Sequence, residues 1–231
     1  MKLSIIIPTY NEEKTILQIL DKIKKVNLDD IAKEIIIVDD CSTDKTKEII
    51  SNLKDIKKIY HDKNLGKGAA IRSGLKQVTG DLIIIQDADL EYNPEDYKIL
   101  LKPILENKTK VVYGSRFLNN KLFEKKHLLL PSHYIGNKIL SFLTGLLYRH
   151  KITDMETCYK LIKREVLDNL NLNSNRFDIE PEITAKILKK GYKIIEVPIK
   201  FNPRTFEEGK KINWKDGLIA IYTLIKYRFT N

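Results

Sequence analysis

The chain has little of what usually fixes a small fold or a metal cage. It carries two cysteines and four histidines in 231 residues. Cys41 and Cys158 lie far apart and in different motifs, so two buried or indifferent thiols are expected, not a disulfide framework. His61, His127, His133 and His150 show no metal-ligand spacing, and a solvent-exposed role is their default. No run of eighteen or more apolar residues occurs, which excludes an outright membrane span. Met1-Lys2-Leu3 leads straight into a strand pattern, so no signal peptide is expected. Repeats, low-complexity tracts and Pro/Ser linkers are also missing, and one domain over residues 1–231 is the expectation. The first strand is not followed by Gly-x-Gly-x-x-Gly, and no Walker spacing occurs. The net charge is +10, yet no nucleic-acid module shows and the lysines are scattered through every helix. Nucleic acid is therefore not an expected partner. An anionic membrane surface or a phosphate-bearing acceptor would use the charge, and plain solubility would explain it equally.

What is present is a strand followed by acid, three times. Ile83-Ile84-Ile85 runs into Gln86-Asp87-Ala88-Asp89-Leu90-Glu91. An apolar run without alternation reads as a strand buried on both faces, and Asp87 and Asp89 would then lie beyond its carboxyl end, where open α/β sheets place ligands. Two carboxylates so close repel unless a cation sits between them, and hard oxygen ligands suit Mg²⁺ or Mn²⁺. Leu3-Ser4-Ile5-Ile6-Ile7 precedes Pro8-Thr9-Tyr10-Asn11-Glu12-Glu13, where Pro8 is expected to stop the ladder and Asn11 to cap the next helix. Glu34-Ile35-Ile36-Ile37-Val38 precedes Asp39-Asp40.

Strands are predicted near residues 3–7, 34–38, 57–60, 81–85 and 110–113. Helices are predicted near 13–25, 44–54, 67–78 and 94–106. The alternation implies an α/β fold with a mostly parallel sheet and helices on both faces. Gly66-Lys67-Gly68, with Ala69, Ala70 and Gly74, reads as a turn into a helix packed closely on the sheet, or as a direct contact to a nucleotide. Apolar residues from Leu128 to Leu147 and from Trp214 to Phe229, mixed with basic ones, suit helices lying in a membrane interface, a dimer contact or an ordinary sheet cover.

Pro8-Thr9-Tyr10-Asn11-Glu12, Val38-Asp39-Asp40-Cys41-Ser42-Thr43-Asp44, Asn64-Leu65-Gly66-Lys67-Gly68, Gly80-Asp81 and Asp87-Ala88-Asp89 together resemble the family-2 glycosyltransferases. Tyr113-Gly114-Ser115-Arg116, Asp154-Met155-Glu156-Thr157-Cys158-Tyr159-Lys160 and Gly191–Ile199 resemble the branch that makes dolichyl- or polyprenyl-phosphate mannose and glucose. The resemblance implies a GT-A (Rossmann-like) three-layer sandwich with a mostly parallel mixed sheet. Residues 1–116 would be its nucleotide-sugar-binding half, and 117–231 its acceptor-side half with membrane-facing helices. It also implies an inverting, metal-dependent hexosyltransferase that uses a GDP- or UDP-linked sugar.

By resemblance Asp87, Asp89 and Glu91 face the metal, with Glu91 where mannose synthases tend to carry Gln. Asp40 would take the base with Asp39 nearby. Pro8, Tyr10, Glu12, Lys67 and Ala88 would line the donor pocket. Arg116 would offer a fork to phosphate oxygens. A phosphate acceptor needs positioning, with Arg204, Lys210 and Lys211 in a basic flap, whereas a hydroxyl acceptor needs a base, for which Asp154 and Glu156 are candidates. The expected acceptor is a polyprenyl phosphate or another lipid-linked acceptor, reached by a cytoplasmic protein peripheral on the cytosolic membrane face, with a homodimer open. A family-2 enzyme acting on a sugar hydroxyl is the first alternative. A nucleotidyltransferase is the remote one, and it lacks its Gly-rich loop after the first strand.

Overall fold

The computed structural model describes residues 1–118, 131–204 and 214–230, the side chains of residues 131–133 and 214 excepted. The strands are β1 (Lys2–Thr9), β2 (Ala32–Asp39), β3 (Lys57–Tyr60), β4 (Leu82–Ile85), β5 (Val111–Ser115), β6 (Lys160–Lys163) and β7 (Ile194–Pro198). They form one sheet in the order β3-β2-β1-β4-β6-β5-β7. Neighbours pair in parallel except at β6, which runs antiparallel to both β4 and β5. The mostly parallel mixed sheet is thus observed.

Leu3, Ile5, Ile6 and Ile7 are all fully buried. Successive side chains of a strand point to opposite faces, so burial of consecutive residues means that both faces are covered. The helices are α1 (Ile16–Lys25), α2 (Thr46–Ser51), α3 (Lys67–Leu75), α4 (Tyr97–Leu105), α5 (Pro131–Tyr148), α6 (Arg164–Leu167), α7 (Ile179–Lys189) and α8 (Trp214–Phe229), of which α5 and α8 pack mainly on each other and on α7 rather than on the sheet. On α1 the buried residues are Ile16, Ile19, Leu20 and Ile23, one helical stripe, each side chain contributing about 1.5–3 kcal/mol by burial. α3 comes close to β1 because Gly74 carries no side chain: a Cβ there would stand 2.6 Å from Ile6 Cγ2.

Three expectations are corrected. Pro8 does not end β1, which runs on to Thr9 opposite Asp39. Thr9 faces β2, where its carbonyl accepts from Asp40; by alternation the missing Pro8 amide falls on the β4 side, past the last pair, Ile6 with Ile85. Asn11 does not cap α1. Its side chain instead accepts from the Thr43 amide at 2.8 Å, while the Thr15 and Ile16 amides bond the Glu12 carbonyl. His61 is not solvent-exposed, with 8% of its side chain accessible.

A second, smaller core joins α5, α7 and α8 through Leu140, Met155, Ala185, Ala220, Leu224 and Tyr227. Around it α5 is largely inside out, and α8 carries apolar residues on both sides. On α5, Asn137, Ser141 and Thr144 are buried, whereas Ile135, Ile139, Phe142 and Leu146 are exposed. The buried polar groups are satisfied: Asn137 Nδ2 donates to the Thr153 carbonyl, and Thr144 to the Leu140 carbonyl. On α8, Leu218, Ile219, Tyr222, Ile225 and Phe229 face outward. Among the described residues no helix is long and apolar enough to cross a membrane. Residues 127–130 of the apolar segment lie outside the described residues.

Candidate active site

β1, β2 and β4 deliver their carboxyl ends to one edge, where a cleft of ≈ 360 Å³ opens. Pro8, Thr9, Tyr10 and Glu12 line it from β1, Asp40 from β2, and Asp87, Ala88, Asp89 and Glu91 from β4. Gly66, Lys67 and Ala70 contribute from the start of α3, and Arg176, Phe177, Arg204 and Asp216 from later segments. Each of the three strand ends turns through a left-handed residue: Asn11 at φ 53°, Cys41 at φ 63° and Leu90 at φ 66°. Such backbone costs an L-residue roughly 1–2 kcal/mol, and the first two turns are held by each other. The Asn11 amide donates to Ser42 Oγ, Glu12 to Thr46 Oγ1, and Lys45 back to Glu13 Oε2.

The adjacent acids after β2 differ sharply. The Asp40 carboxylate accepts from the amides of Leu65 and Gly66 at 2.9 and 2.7 Å, and bonds His61 Nδ1 at 2.7 Å. It is occupied by the chain itself, and what it does is fix the turn into α3. Asp39 is also buried, and its Oδ2 takes the Ser42 amide, but its Oδ1 has no hydrogen-bond partner. The partnerless oxygen at this strand end is thus on Asp39, which is buried behind the cleft, whereas Asp40 lines it.

After β4, Asp89 is half-buried next to Asp87 and Glu91, and desolvation together with those like charges pushes its carboxyl up to about 7. Lys67 sits 2.8 Å from Asp87 and 3.3 Å from Glu180. Asp89 Oδ1 accepts from the Glu91 amide, and Glu91 Oε1 from the Arg204 amide. Among the described residues no three acidic, histidine or cysteine side chains are assembled as a metal cage, so the expected set of three carboxylates is not closed. The mutual repulsion that raises Asp89 is nevertheless what a divalent cation relieves, and the oxygen donors fit Mg²⁺ or Mn²⁺.

Arg204 crosses the cleft mouth. Its guanidinium reaches Glu12 Oε2 at 2.8 Å and the Asp89 carbonyl at 2.8 Å, so it joins the first strand end to the acidic turn. Lys210 and Lys211 lie outside the described residues. Arg116 is placed elsewhere. Its fork closes on Asp154, Nε to Oδ2 at 2.7 Å and Nη2 to Oδ1 at 2.8 Å, and Asp154 is fully buried. Neither lines the cleft. Glu196 fixes this pair by accepting the amides of Thr153 and Asp154. Glu156 is unlike its neighbour: its Oε1 is buried with no partner, and burial raises its carboxyl to about 7.

Sequence reasoning missed His61, Glu180 and Glu196 as parts of this region. Glu196 lay in a motif already singled out. Nothing near Glu180 in the sequence points to Lys67.

The glycosyl transferase family 2 profile matches residues 4–170, and the chain belongs to that family. It is 34% identical over 216 residues to a dolichyl-phosphate beta-glucosyltransferase of Trichomonas vaginalis, covering 87% of this chain and 65% of that protein. It thus spans a little under two thirds of that relative's length. It is 31% identical over 242 residues to a UDP-N-acetylglucosamine–dolichyl-phosphate N-acetylglucosaminyltransferase of Methanococcus voltae, covering 96% of this chain and 94% of that one. In fold it is similar to glucosyl-3-phosphoglycerate synthase of Mycobacterium tuberculosis in complex with UDP, with TM-score 0.73, 19% identity, and coverage of 98% and 80%. That synthase is also known with UDP and Mn²⁺ or Mg²⁺. The fold is the GT-A type, and the chain resembles the branch of polyprenyl-phosphate sugar transferases.

Proposed function

We propose that the chain transfers a hexose, with inversion, from a GDP- or UDP-linked sugar to a polyprenyl phosphate such as dolichyl phosphate, at the cytosolic face of a membrane. The observation that carries this reading is the crowding of Asp87, Asp89 and Glu91 in a strand-end cleft, where Asp89 is raised by its like-charged neighbours. The names of the relatives supply the acceptor class, and because those names differ in sugar, the sugar is left open.

Residues 1–116 would hold the donor and 117–231 the acceptor. Asp40, which lines the cleft with Pro8 and Tyr10, would face the base or ribose, with Asp39 buried behind it. Mg²⁺ or Mn²⁺ held by Asp87 and Asp89, beside Glu91, would supply Lewis-acid neutralisation of the departing diphosphate. Arg204 stands where a guanidinium fork can take the acceptor phosphate, exchanging Glu12 for it. An ionised phosphate already carries its nucleophilic oxygen, so the step needs positioning and no general base. The outward apolar faces of α5 and α8, with a net charge of +10, supply the two signals of stable peripheral attachment, insertion and electrostatic attraction.

Product analysis with labelled GDP- and UDP-sugars, a polyprenyl phosphate and either Mg²⁺ or a chelator tests the reading. A polyprenyl-phosphate sugar formed only with metal is the expected product. Flotation with anionic vesicles should recover the protein at low salt and less at high salt; no flotation would assign the apolar faces to a second copy. One observation favours a hydroxyl acceptor instead, since Glu156 has the free oxygen and raised pKa of a general base. Glu156→Gln should then abolish transfer, whereas under the phosphate reading it should cost less than about tenfold.

A further inference from the structure

Lys67 is wedged between two carboxylates at the cleft wall, with 16% of its side chain accessible. One carboxylate is Asp87, at 2.8 Å, and the other is Glu180, whose Oε1 stands 3.3 Å away as an ion pair without a hydrogen bond. Glu180 is itself pinned. Its other oxygen takes the ammonium of Lys160, which is fully buried, donates to the Thr157 carbonyl and stands 5.1 Å from the Tyr113 ring centre. Charges therefore alternate from the cleft inward: Asp87, Lys67, Glu180, Lys160. The glycines flanking Lys67 make the arrangement possible. A Cβ on Gly66 would meet the Asn175 carbonyl at 2.4 Å, and one on Gly68 the Ser174 carbonyl at 2.5 Å. Their absence lets the segment leading into α7 seat on the start of α3, and so brings Glu180 to Lys67.

We propose that Lys67 is the resident counter-ion of Asp87, tethered by Glu180, and that it makes divalent-cation binding conditional on the arrival of the donor's diphosphate. The inference rests on the donor-site reading above. A divalent cation on Asp87 would stand close to the ammonium in a site only partly screened by water, where like charges repel strongly. The cation alone is thus disfavoured. A diphosphate brings enough negative charge for both positive groups to share the corner. The flexible lysine stem can move its ammonium from Asp87 to a phosphate oxygen while Glu180 keeps hold of it. Donor and cation would then bind together, and Asp87 would stay neutralised between turnovers.

The test is a titration of the purified full chain with Mn²⁺, read as free Mn²⁺ by electron paramagnetic resonance, alone and with saturating UDP or GDP. Wild type should bind Mn²⁺ weakly alone and more tightly with one of the nucleotides. Lys67→Met should bind Mn²⁺ alone about tenfold or more tightly, the scale of removing one close charge, and lose most of the tightening by nucleotide. Glu180→Gln leaves Lys67 to Asp87 alone and should weaken Mn²⁺ binding, the opposite sign. Arg176→Gln removes a positive charge from the same cleft without an ion pair to Asp87, and should move the affinity much less. Unchanged Mn²⁺ affinity in folded Lys67→Met and Glu180→Gln, or an equal effect of Arg176→Gln, overturns the proposal and leaves the donor site standing. If Lys67→Met does not fold, tighter or unchanged binding by Glu180→Gln overturns it. Absence of any coupling between Mn²⁺ and either nucleotide in wild type removes the donor-site reading, and this inference with it.

Discussion

Asp40 and Asp89 follow strands that reach the same edge of the sheet, and the chain treats them in opposite ways. The carboxylate of Asp40 takes two backbone amides and the His61 ring. Asp89 has one amide on Oδ1 and the like charges of Asp87 and Glu91 around it. A buried carboxylate supplied with donors by its own chain holds structure together, because the ionised form is the one solvated. A carboxylate faced by its own kind is held at a cost in stability, which Arg204 offsets in part and a cation from outside would offset further. An acidic strand end therefore shows where a site is, and the donors around each acid show which residue serves the ligand.

The comparison is broken most directly at Asp89. Asp89→Asn should lower transfer by about 10³-fold, or about 4 kcal/mol, because the cation loses a ligand. It should also leave the protein without metal no less stable, and more stable if repulsion from Asp87 and Glu91 dominates, as read by thermal unfolding in chelator. A variant that is both active above a tenth of wild type and less stable would put Asp89 in the same class as Asp40.

Asp40→Asn should do the reverse. Loss of a charged acceptor for two amides and His61 should destabilise the fold by roughly 3 kcal/mol, visible in denaturant unfolding, and loosen the turn at residues 64–66. If stability holds and only nucleotide affinity falls, Asp40 serves the ligand and not the turn.

Glu34 extends the self-satisfied class to the far edge of the molecule. Burial alone would raise its pKa, but bonds from Lys57, Ser4 and Thr79 outweigh that and hold it well below the usual 4.5. A lowered carboxyl stabilises the fold above its unfolded value and loses that contribution as pH falls towards its folded one. Glu34→Gln should therefore cost roughly 2 kcal/mol at pH 7, and the gap to wild type should shrink progressively below about pH 4.5. A gap independent of pH would mean that shape, and not charge, is what Glu34 contributes.

The strands that carry these acids were legible because a strand buried on both faces leaves an unbroken apolar run, as in Ile83–Ile85 and Leu3–Ile7. β6 was not. It is four residues long with a lysine at each end, and Lys160 is buried only because Glu180, twenty residues on, meets it. α7 hides in the same way. Nothing local marks Glu180 and Glu182 as buried, yet Glu182 is buried on Lys186 and the amides of Asn173 and Ser174. The apolar content of α5 and α8 was plain, but which of their apolar residues face outward is a property of what they pack on. The fork of Arg116 was readable as a fork, but its partner Asp154, 38 residues away, was not. Long-range ion pairs leave no local period, and that is where the reading of individual site residues stops short.

The smallest effect tests whether the β2 end is scaffold, as its saturated Asp40 implies. Cys41 holds a left-handed φ of 63°, and its thiol makes only a long 3.6 Å contact to the Asp62 carbonyl. Glycine removes a strain of roughly 1–2 kcal/mol but adds unfolded-chain entropy of about 0.5–1 kcal/mol. Cys41→Gly should therefore gain up to about 1 kcal/mol, which in a chain of this size raises Tm by ~2–4 °C. A scaffold turn keeps its geometry when its strain is relieved, so nucleotide affinity should stay within about twofold, less than 0.5 kcal/mol. A lower Tm would mean that the thiol contact outweighs the backbone strain. A large loss of nucleotide affinity at unchanged Tm would mean that the left-handed backbone of Cys41 is itself needed to hold the β2 turn beside the ligand, and that the turn is more than scaffold.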